Sequence, residues 1–327
     1  MQIVFVTYMN RSGSTYLCKR LGDFSDIAVT LEASFPDGIA RRELVIESAA
    51  GLDDGIRQLY DDAKFASWNV APEDLKERLA RARYPIGFPD IFAGIVDIAF
   101  GSGKKAVIYK NGAYLLNLRK VRQQFPDCKV IHLIRDFRAI YASQKRSISS
   151  RTGRAMARFP FENARLYRRM ANIAQRHAEA PWFHVVRYED LVSQPDPTLA
   201  SLVDFLGCSS VCDDRDRSYA ASIPDAQKHL HANIHLSPLP SRIDAWREEL
   251  NSEEVYAIEK ICNPVFTAFG YPPGRTVLVG CGKVRYARLW IRHIFWTCIS
   301  RKSRTFMKLV CAQVRKAAGS ATVRSSQ

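Results

Sequence analysis

Residues 1–17 read MQIVFVTYMNRSGSTYL, and this stretch decides the fold. The β-branched and aromatic run Ile3–Tyr8 predicts a buried strand. Small and hydroxylated residues follow at once, and helical spacing begins at Ser14. Such a strand, turn and helix start bring backbone N–H groups and the positive end of the helix dipole to one place. Because Arg11 adds a permanent, forked charge, the turn is predicted to bind a phosphate or sulfate group.

The turn differs from the nucleotide-binding pattern G-x-x-x-x-G-K-[ST], because the first glycine and the lysine of that pattern are absent. Taken alone, the turn is also compatible with an ordinary capped connection between a strand and a helix. A second anion site elsewhere in the chain would favour the binding interpretation.

Such a second site is predicted after the apolar run Lys129–Ile134, which has the composition of another buried strand. Arg135 follows this strand directly, and Ser143 lies within the first two turns of the helix predicted next. Both can reach one anion in the crevice where open α/β sheets bind ligands. Two anion sites at two strand-to-helix junctions fit a nucleotide that is phosphorylated at both ends.

These two segments resemble a known family, the sulfotransferases that use 3′-phosphoadenosine 5′-phosphosulfate (PAPS). Residues 11–15 resemble the loop that holds the 5′-phosphosulfate, and residues 130–138 with Ser143 resemble the motif that holds the 3′-phosphate. Phe137 stands where the family usually has Pro or Gly, a departure that affects neither Arg135 nor Ser143. The resemblance implies that PAPS is bound by the following residues: Arg11, Ser12, Gly13, Ser14, Thr15, Arg135 and Ser143. Arg242, four residues before Trp246, is a further candidate for contact with the 3′-phosphate.

Three further segments extend the resemblance over residues 1–272. They are Tyr109–Gly112, Arg187–Leu191 and the stretch from Trp246 to Tyr271. Strands alternating with helices independently predict a parallel β-sheet covered by helices on both faces, an α/β fold. The resemblance makes this fold P-loop-like. We therefore expect a sulfotransferase domain at 1–272 and a basic, partly amphipathic extension at 273–327.

The candidate catalytic residues are Arg11, Lys110 and Glu32. Lys110, at a predicted strand end, is placed to reach the bridging oxygen or a phosphate, and a solvated lysine is the alternative. Glu32 is interpreted as the general base because it follows the first helix, where many carbohydrate sulfotransferases carry a Glu; the usual next residue, Pro, is Ala33 here. A solvated loop carboxylate stays an equal alternative. A histidine from the cluster His229, His231 and His235 is the other candidate base, whereas His132, inside a strand, is interpreted as a core residue. No metal is required, because protein cations can stabilise the leaving phosphate.

Composition limits the classes of protein that fit. The 327 residues include 47% hydrophobic residues, which suits a globular chain, and its eight scattered cysteines indicate reduced thiols. The first strand begins at residue 3, so no classical export signal is predicted. Residues 138–158 carry six basic side chains and no acidic one, either as a solvated surface or as a field that attracts PAPS.

The formal net charge of +15 is concentrated near the end of the sequence. Residues 276–327 hold eleven Lys or Arg and no acidic residue. Within them, residues 283–299 read KVRYARLWIRHIFWTCI, the pattern of a basic amphipathic helix that can lie on an anionic membrane. Packing on the domain itself or on a partner subunit is the alternative. These features predict a cytoplasmic protein that can associate with the inner face of the membrane.

The leading hypothesis is a PAPS-dependent sulfotransferase that acts on a hydroxyl group of a carbohydrate or glycolipid. Two alternatives stay open: a nucleotide-dependent kinase with a degenerate phosphate loop, and a basic membrane-binding or nucleic-acid-binding protein without catalysis. Because nucleic-acid recognition signatures are absent from the sequence, no nucleic-acid partner is expected.

Overall fold

The computed structural model describes residues 1–30, 45–61, 65–68, 70–101, 103–149, 152–209, 240–272, 276–280 and 282–298. A five-stranded parallel sheet with the order β2-β5-β1-β6-β7 lies at the centre of the molecule. The strands of this sheet are β1 (Gln2–Tyr8), β2 (Ile27–Val29), β5 (Ala106–Lys110), β6 (Lys129–Ile134) and β7 (Phe183–Arg187). A separate antiparallel pair consists of β3 (Val45–Ile46) and β4 (Ile86–Gly87).

Helices cover both faces of the sheet, as the alternation of strands and helices predicts. Alternate residues of β1 enter different cores: Phe5 faces one hydrophobic cluster, and Val4 and Val6 face another. The helices are α1 (Ser14–Gly22), α2 (Leu52–Tyr60), α3 (Pro72–Ala80), α4 (Phe88–Phe100), α5 (Leu118–Gln124), α6 (Phe137–Arg146), α7 (Pro160–His177), α8 (Tyr188–Ser193), α9 (Pro195–Leu206), α10 (Trp246–Glu249), α11 (Ser252–Phe266) and α12 (residues 282–298).

Most differences from the sequence prediction lie at element ends. The sequence pattern predicts a helix over 114–125, but the structure has a 3₁₀ segment over Gly112–Asn117 followed by α5. The pattern also predicts a strand over 183–188, whereas Tyr188 is the first residue of α8. A strand-like or loop segment is predicted at 27–35; it is β2 as far as Val29, and residues 31–44 lie outside the described residues. Isolated patterns fix the type of an element better than its ends, because tertiary contacts decide where a helix begins.

Helix α12 packs on the domain through one of its faces. Tyr286, Leu289 and Trp296 contact the buried cluster that contains Phe161, and the ring centroid of His293 lies 4.9 Å from that of Phe161. The sequence left open whether this basic helix lies on a membrane or packs on the domain. The contacts place one face of the helix against the domain. Among the described residues, no helix is long and apolar enough to span a membrane.

His132 is buried in the middle of β6, with Nδ1 lying 3.0 Å from the Thr7 hydroxyl. Burial lowers the pKa of this imidazole from 6.5 to about 4. The unfolded chain therefore binds a proton at a higher pH than the folded chain does, and stability falls as the pH drops from 6.5 towards 4.

We expect acidification across this window to remove up to about 3 kcal/mol from the free energy of unfolding through His132. Urea denaturation between pH 7.5 and 4 measures it, with H132Q as the comparison because that variant lacks the titrating ring. The comparison does not depend on H132Q being as stable as the native protein at pH 7.5. An equally steep loss in both proteins would contradict the prediction.

Candidate functional site

The turn after β1 has the geometry expected of an anion-binding loop. Ser12 N donates a hydrogen bond to Met9 O at 3.0 Å, which closes the turn. Arg11 and Gly13 have positive φ angles of 76° and 96°, and α1 begins at Ser14 without an acidic residue in its first turn. The first N–H groups of α1 and the positive end of its dipole therefore face this loop.

Tyr188, the first residue of α8, packs directly beneath the loop. A Cβ atom added at Gly13 would lie 2.4 Å from two ring carbons of Tyr188, so the backbone approaches the ring more closely than any side chain allows. Burial raises the pKa of the Tyr188 hydroxyl. The contact fixes the height of the loop above the carboxyl end of β7.

The two predicted anion-binding segments meet at this point. Arg135 Nη1 donates to Arg11 O at 3.3 Å, and Arg11 Nε donates to Ser143 Oγ at 3.1 Å. The guanidinium of Arg135 also lies 4.1 Å from the ring centroid of Tyr188. Tyr188 thus supports the loop through Gly13 and the second segment through Arg135.

The electrostatics of this convergence favour an anion. Burial, followed by repulsion from Arg135 and Arg146, lowers the pKa of the Arg11 guanidinium. Ser12 Oγ and Arg135 Nε are buried without a hydrogen-bond partner in the described part of the chain. Buried polar groups are normally paired, so the two atoms are donors suited to a ligand with several oxygen atoms.

Lys110 ends β5 beside the same loop. Its Nζ donates to Thr15 Oγ1 at 3.3 Å and lies 5.7 Å from the ring centroid of Tyr8. The 3₁₀ segment that follows β5 packs tightly on the end of β1: a Cβ atom at Gly112 would lie 2.3 Å from Tyr8 O. Lys110 is 3% exposed, so its ammonium is held inside the site and is not a solvated surface charge.

Arg242 reaches the site with its backbone rather than with its charge. Its carbonyl oxygen accepts a hydrogen bond from Arg135 Nη2 at 3.5 Å, whereas its guanidinium pairs with Glu249 at 3.0 Å. Glu249 also pairs with Arg146. One carboxylate therefore holds two cations at the rim of the site.

Three cations of the basic run 138–158 pair with carboxylates: Arg138, Lys145 and Arg146. Lys145 pairs with Glu254 at 2.8 Å, and Arg138, only 2% exposed, is enclosed by carboxylates. Arg138 therefore belongs neither to a solvated surface nor to a field around the site, which corrects both interpretations for this residue. The guanidinium lies in the core because Asp136, two residues before it, and Glu259, 121 residues after it, provide its counter-charges.

The two candidates for a general base cannot be placed in this geometry. Glu32 and the histidines His229, His231 and His235 all lie outside the described residues. Within the described ranges, no group of three or more His, Cys, Asp or Glu side chains is arranged to hold a metal ion.

The sequence pattern of Arg187–Leu191 predicts no role for its individual residues. Glu189 accepts hydrogen bonds from Asp136 N at 3.1 Å and from the Tyr271 hydroxyl at 2.9 Å. With Tyr188, it joins β6, β7 and the last part of the domain at the site. The sequence feature that identifies these residues is their position, because residues directly after a parallel strand lie at the ligand-binding edge of the sheet.

A parallel α/β sheet, with the two predicted anion-binding junctions at its carboxyl edge, defines a P-loop-like fold. A sequence profile of the sulfotransferase family matches residues 3–213. The chain belongs to the sulfotransferase family.

Individual relatives agree with this assignment. Carbohydrate sulfotransferase 7 of Rattus norvegicus is 33% identical over 97 residues, which cover 27% of this chain and only 18% of that protein. The sulfotransferase domain of the curacin biosynthetic pathway superposes with a TM-score of 0.54 at 18% identity, covering 84% of this chain and 99% of that domain. The corresponding domain of the Synechococcus PCC 7002 olefin synthase gives 0.51 at 23%, covering 83% and 96%. These two structures support the fold.

Proposed function

We propose that this sulfotransferase moves the sulfuryl group of PAPS to a hydroxyl group of a carbohydrate or glycolipid. The observation that carries the donor assignment is the convergence of Arg11, Arg135 and Ser143, joined by hydrogen bonds across 132 and 124 residues of sequence. A nucleotide with phosphate groups at both ends would satisfy both segments. The family match favours this function over a kinase or a noncatalytic binding protein.

In this proposal the residues divide between the two ends of the donor. Arg135 and Ser143 bind the 3′-phosphate, with the Arg242 carbonyl orienting Arg135. Arg11 and the N–H groups of residues 12–15 bind the 5′-phosphate. PAPS supplies an activated sulfuryl group on a good leaving group, and the protein positions it and stabilises charge.

Transfer forms a bond between the acceptor oxygen and sulfur while the bond from sulfur to the bridging phosphate oxygen breaks. Arg11 and the buried ammonium of Lys110 stabilise the negative charge on the departing oxygen. The proton of the acceptor hydroxyl goes to a general base, for which Glu32 is our proposal. The carbohydrate class of the acceptor is supported by the name of the rat relative.

We expect R135A to weaken binding of adenosine 3′,5′-bisphosphate by about 2 kcal/mol, or roughly thirtyfold in Kd, because charge-assisted hydrogen bonds are lost. Isothermal titration calorimetry measures the affinity, and transfer of labelled sulfate from PAPS to a panel of glycans and glycolipids measures the activity. R135K is expected to be intermediate, since lysine keeps the charge but loses the fork.

Arg122 offers a matched control. It lies 4.3 Å from the ring centroid of Trp182, much as Arg135 lies on Tyr188, but it is outside the site. R122A should leave bisphosphate affinity unchanged. Failure of the native protein to bind the bisphosphate, or magnesium-dependent binding of ATP in its place, would overturn the proposed donor.

A further inference from the structure

Helix α7 carries a row of cations on the face that points away from the core. Phe161, Ala164, Tyr167 and Ala171 are buried, whereas the basic residues at 165, 168, 169 and 176 are exposed. Helical spacing places the exposed cations on one stripe. They are Arg165, Arg168, Arg169 and Arg176, and Lys260 of α11 lies beside them.

These five cations line a groove of about 940 Å³ between α7, α11 and α12. None of them forms an ion pair with another described residue. Glu162 is the only acidic residue of α7. Uncompensated charges of one sign in a groove attract a polyanion.

The opposite wall of the groove is apolar and exposed. Trp290 and Ile291 of α12 line it, with 44% and 61% of their surfaces exposed. Ile294 and Phe295, 38% and 68% exposed, continue this apolar surface along the helix. Because Tyr286, Leu289, His293 and Trp296 form the face that packs on the domain, these apolar side chains have no role in that packing.

We propose that the groove and the exposed face of α12 together bind the surface of an anionic lipid bilayer. Lipid phosphates neutralise the five cations, and the interfacial region accepts Trp290, Ile291 and Phe295. The sequence pointed to the C-terminal segment alone as a membrane contact. The structure adds α7 and makes the surface a composite of two elements.

Charge and the exposed apolar face of α12 argue against the other occupants of the groove. Residues 299–327 contain seven Lys or Arg and no acidic residue, so this segment has the same sign as the groove. A symmetric second copy would place the same cations opposite each other. A nucleic acid would neutralise the cations but leave the apolar side chains of α12 in water.

Sedimentation of the full chain with vesicles tests the proposal. Vesicles of phosphatidylcholine with phosphatidylglycerol should bind the protein, and vesicles of phosphatidylcholine alone should not. The triple variant R165Q/R168Q/R169Q should reduce partitioning about fivefold for each arginine, hence about a hundredfold in total. The variant R83Q/R119Q/K120Q removes three exposed cations outside the groove, and we expect less than about a threefold change from it.

The apolar contribution has its own pair of variants. I291S/F295S should weaken binding to anionic vesicles, whereas V45S/I148S, which alters exposed side chains elsewhere, should not. Trp290 adds a spectroscopic readout, since its emission should shift to the blue on vesicle binding and the shift should disappear in W290F. All substituted side chains in the two arginine sets are exposed, so unchanged thermal midpoints verify folding.

Several results would overturn the proposal: no binding to anionic vesicles, equal binding to neutral vesicles, or equal losses from the groove variant and its control. Binding of an RNA or heparin oligosaccharide that depends on the same three arginines, without vesicle binding, would assign the groove to a different polyanion. The affinity for adenosine 3′,5′-bisphosphate, measured on each variant, separates this surface from the donor site.

Discussion

Replacing Gly13 with alanine is expected to weaken binding of the donor nucleotide strongly while leaving most of the fold intact. The new Cβ atom would lie 2.4 Å from two carbons of the Tyr188 ring, so either the ring or the loop must move. Overpacking of this kind costs roughly 1–3 kcal/mol. The φ of 96° adds about 1–2 kcal/mol for a residue with a Cβ atom.

The strain falls on the two anion-binding segments at once, because Tyr188 also supports Arg135. The loop relieves this strain by moving out of its binding geometry. If restoring that geometry costs about 3 kcal/mol, the affinity for adenosine 3′,5′-bisphosphate drops by roughly a hundredfold. Calorimetric titration of G13A measures this loss. In the G13A background, Y188L should recover part of the loop geometry, but not the contact between the ring and Arg135.

Gly207 provides the matched control. It also has a positive φ, 69°, but a Cβ atom there would meet nothing within 4 Å. G207A should therefore lose about 1 kcal/mol of stability from backbone strain and keep its affinity for the bisphosphate. A native affinity in G13A would show that the loop does not depend on the close approach of Tyr188.

Replacing Arg138 with methionine is expected to lower the free energy of unfolding by about 3–5 kcal/mol. The guanidinium pairs with Asp136 at 2.6 Å and with Glu259 at 3.1 Å, and it lies 4.2 Å from the ring centroid of Trp246. All three charged side chains are at most 9% exposed. Methionine keeps much of the apolar contact but leaves two buried carboxylates without their cation. Urea denaturation at pH 7.5 measures the difference.

Arg247 tests whether the loss comes from burial of charge or from stacking. Its guanidinium lies 4.6 Å from the same Trp246 ring, but its ion pair with Asp244 is exposed. R247M should cost less than about 1 kcal/mol, as expected for an exposed pair. In addition, D136N/R138M/E259Q should be more stable than R138M, since it leaves no unpaired buried charge. Equal losses in R138M and R247M would contradict this explanation.

The second anion-binding segment shows how far sequence could go. The apolar run at Lys129–Ile134 predicts β6 with its observed limits, Arg135 directly after the strand and Ser143 in the first two turns of the next helix. These features are local, since strand composition and helix spacing are properties of short segments. The sequence predicts that both segments lie at the ligand-binding edge of the sheet. It does not predict the hydrogen bond from Arg11 to Ser143, because this bond joins residues that are 132 apart in the chain.

Arg138 and Tyr188 show what the local pattern could not supply. Arg138 stands in a run of basic residues and was grouped with surface cations, yet its partner Glu259 arrives from a helix 121 residues later. Tyr188 follows β7 as an ordinary aromatic residue, and only the approach of Gly13 reveals what it supports.

By itself, the sequence determined the order of strands and helices, the two anion-binding turns and the excess of positive charge near the end. Those properties follow from the side-chain period, from glycine and hydroxyl chemistry, and from composition. The tertiary structure decided which cations are neutralised, which ring supports the donor site, and which face of α12 stays exposed. Burial and ion pairing depend on the distance between atoms, and segments far apart in sequence set that distance only when the sheet assembles.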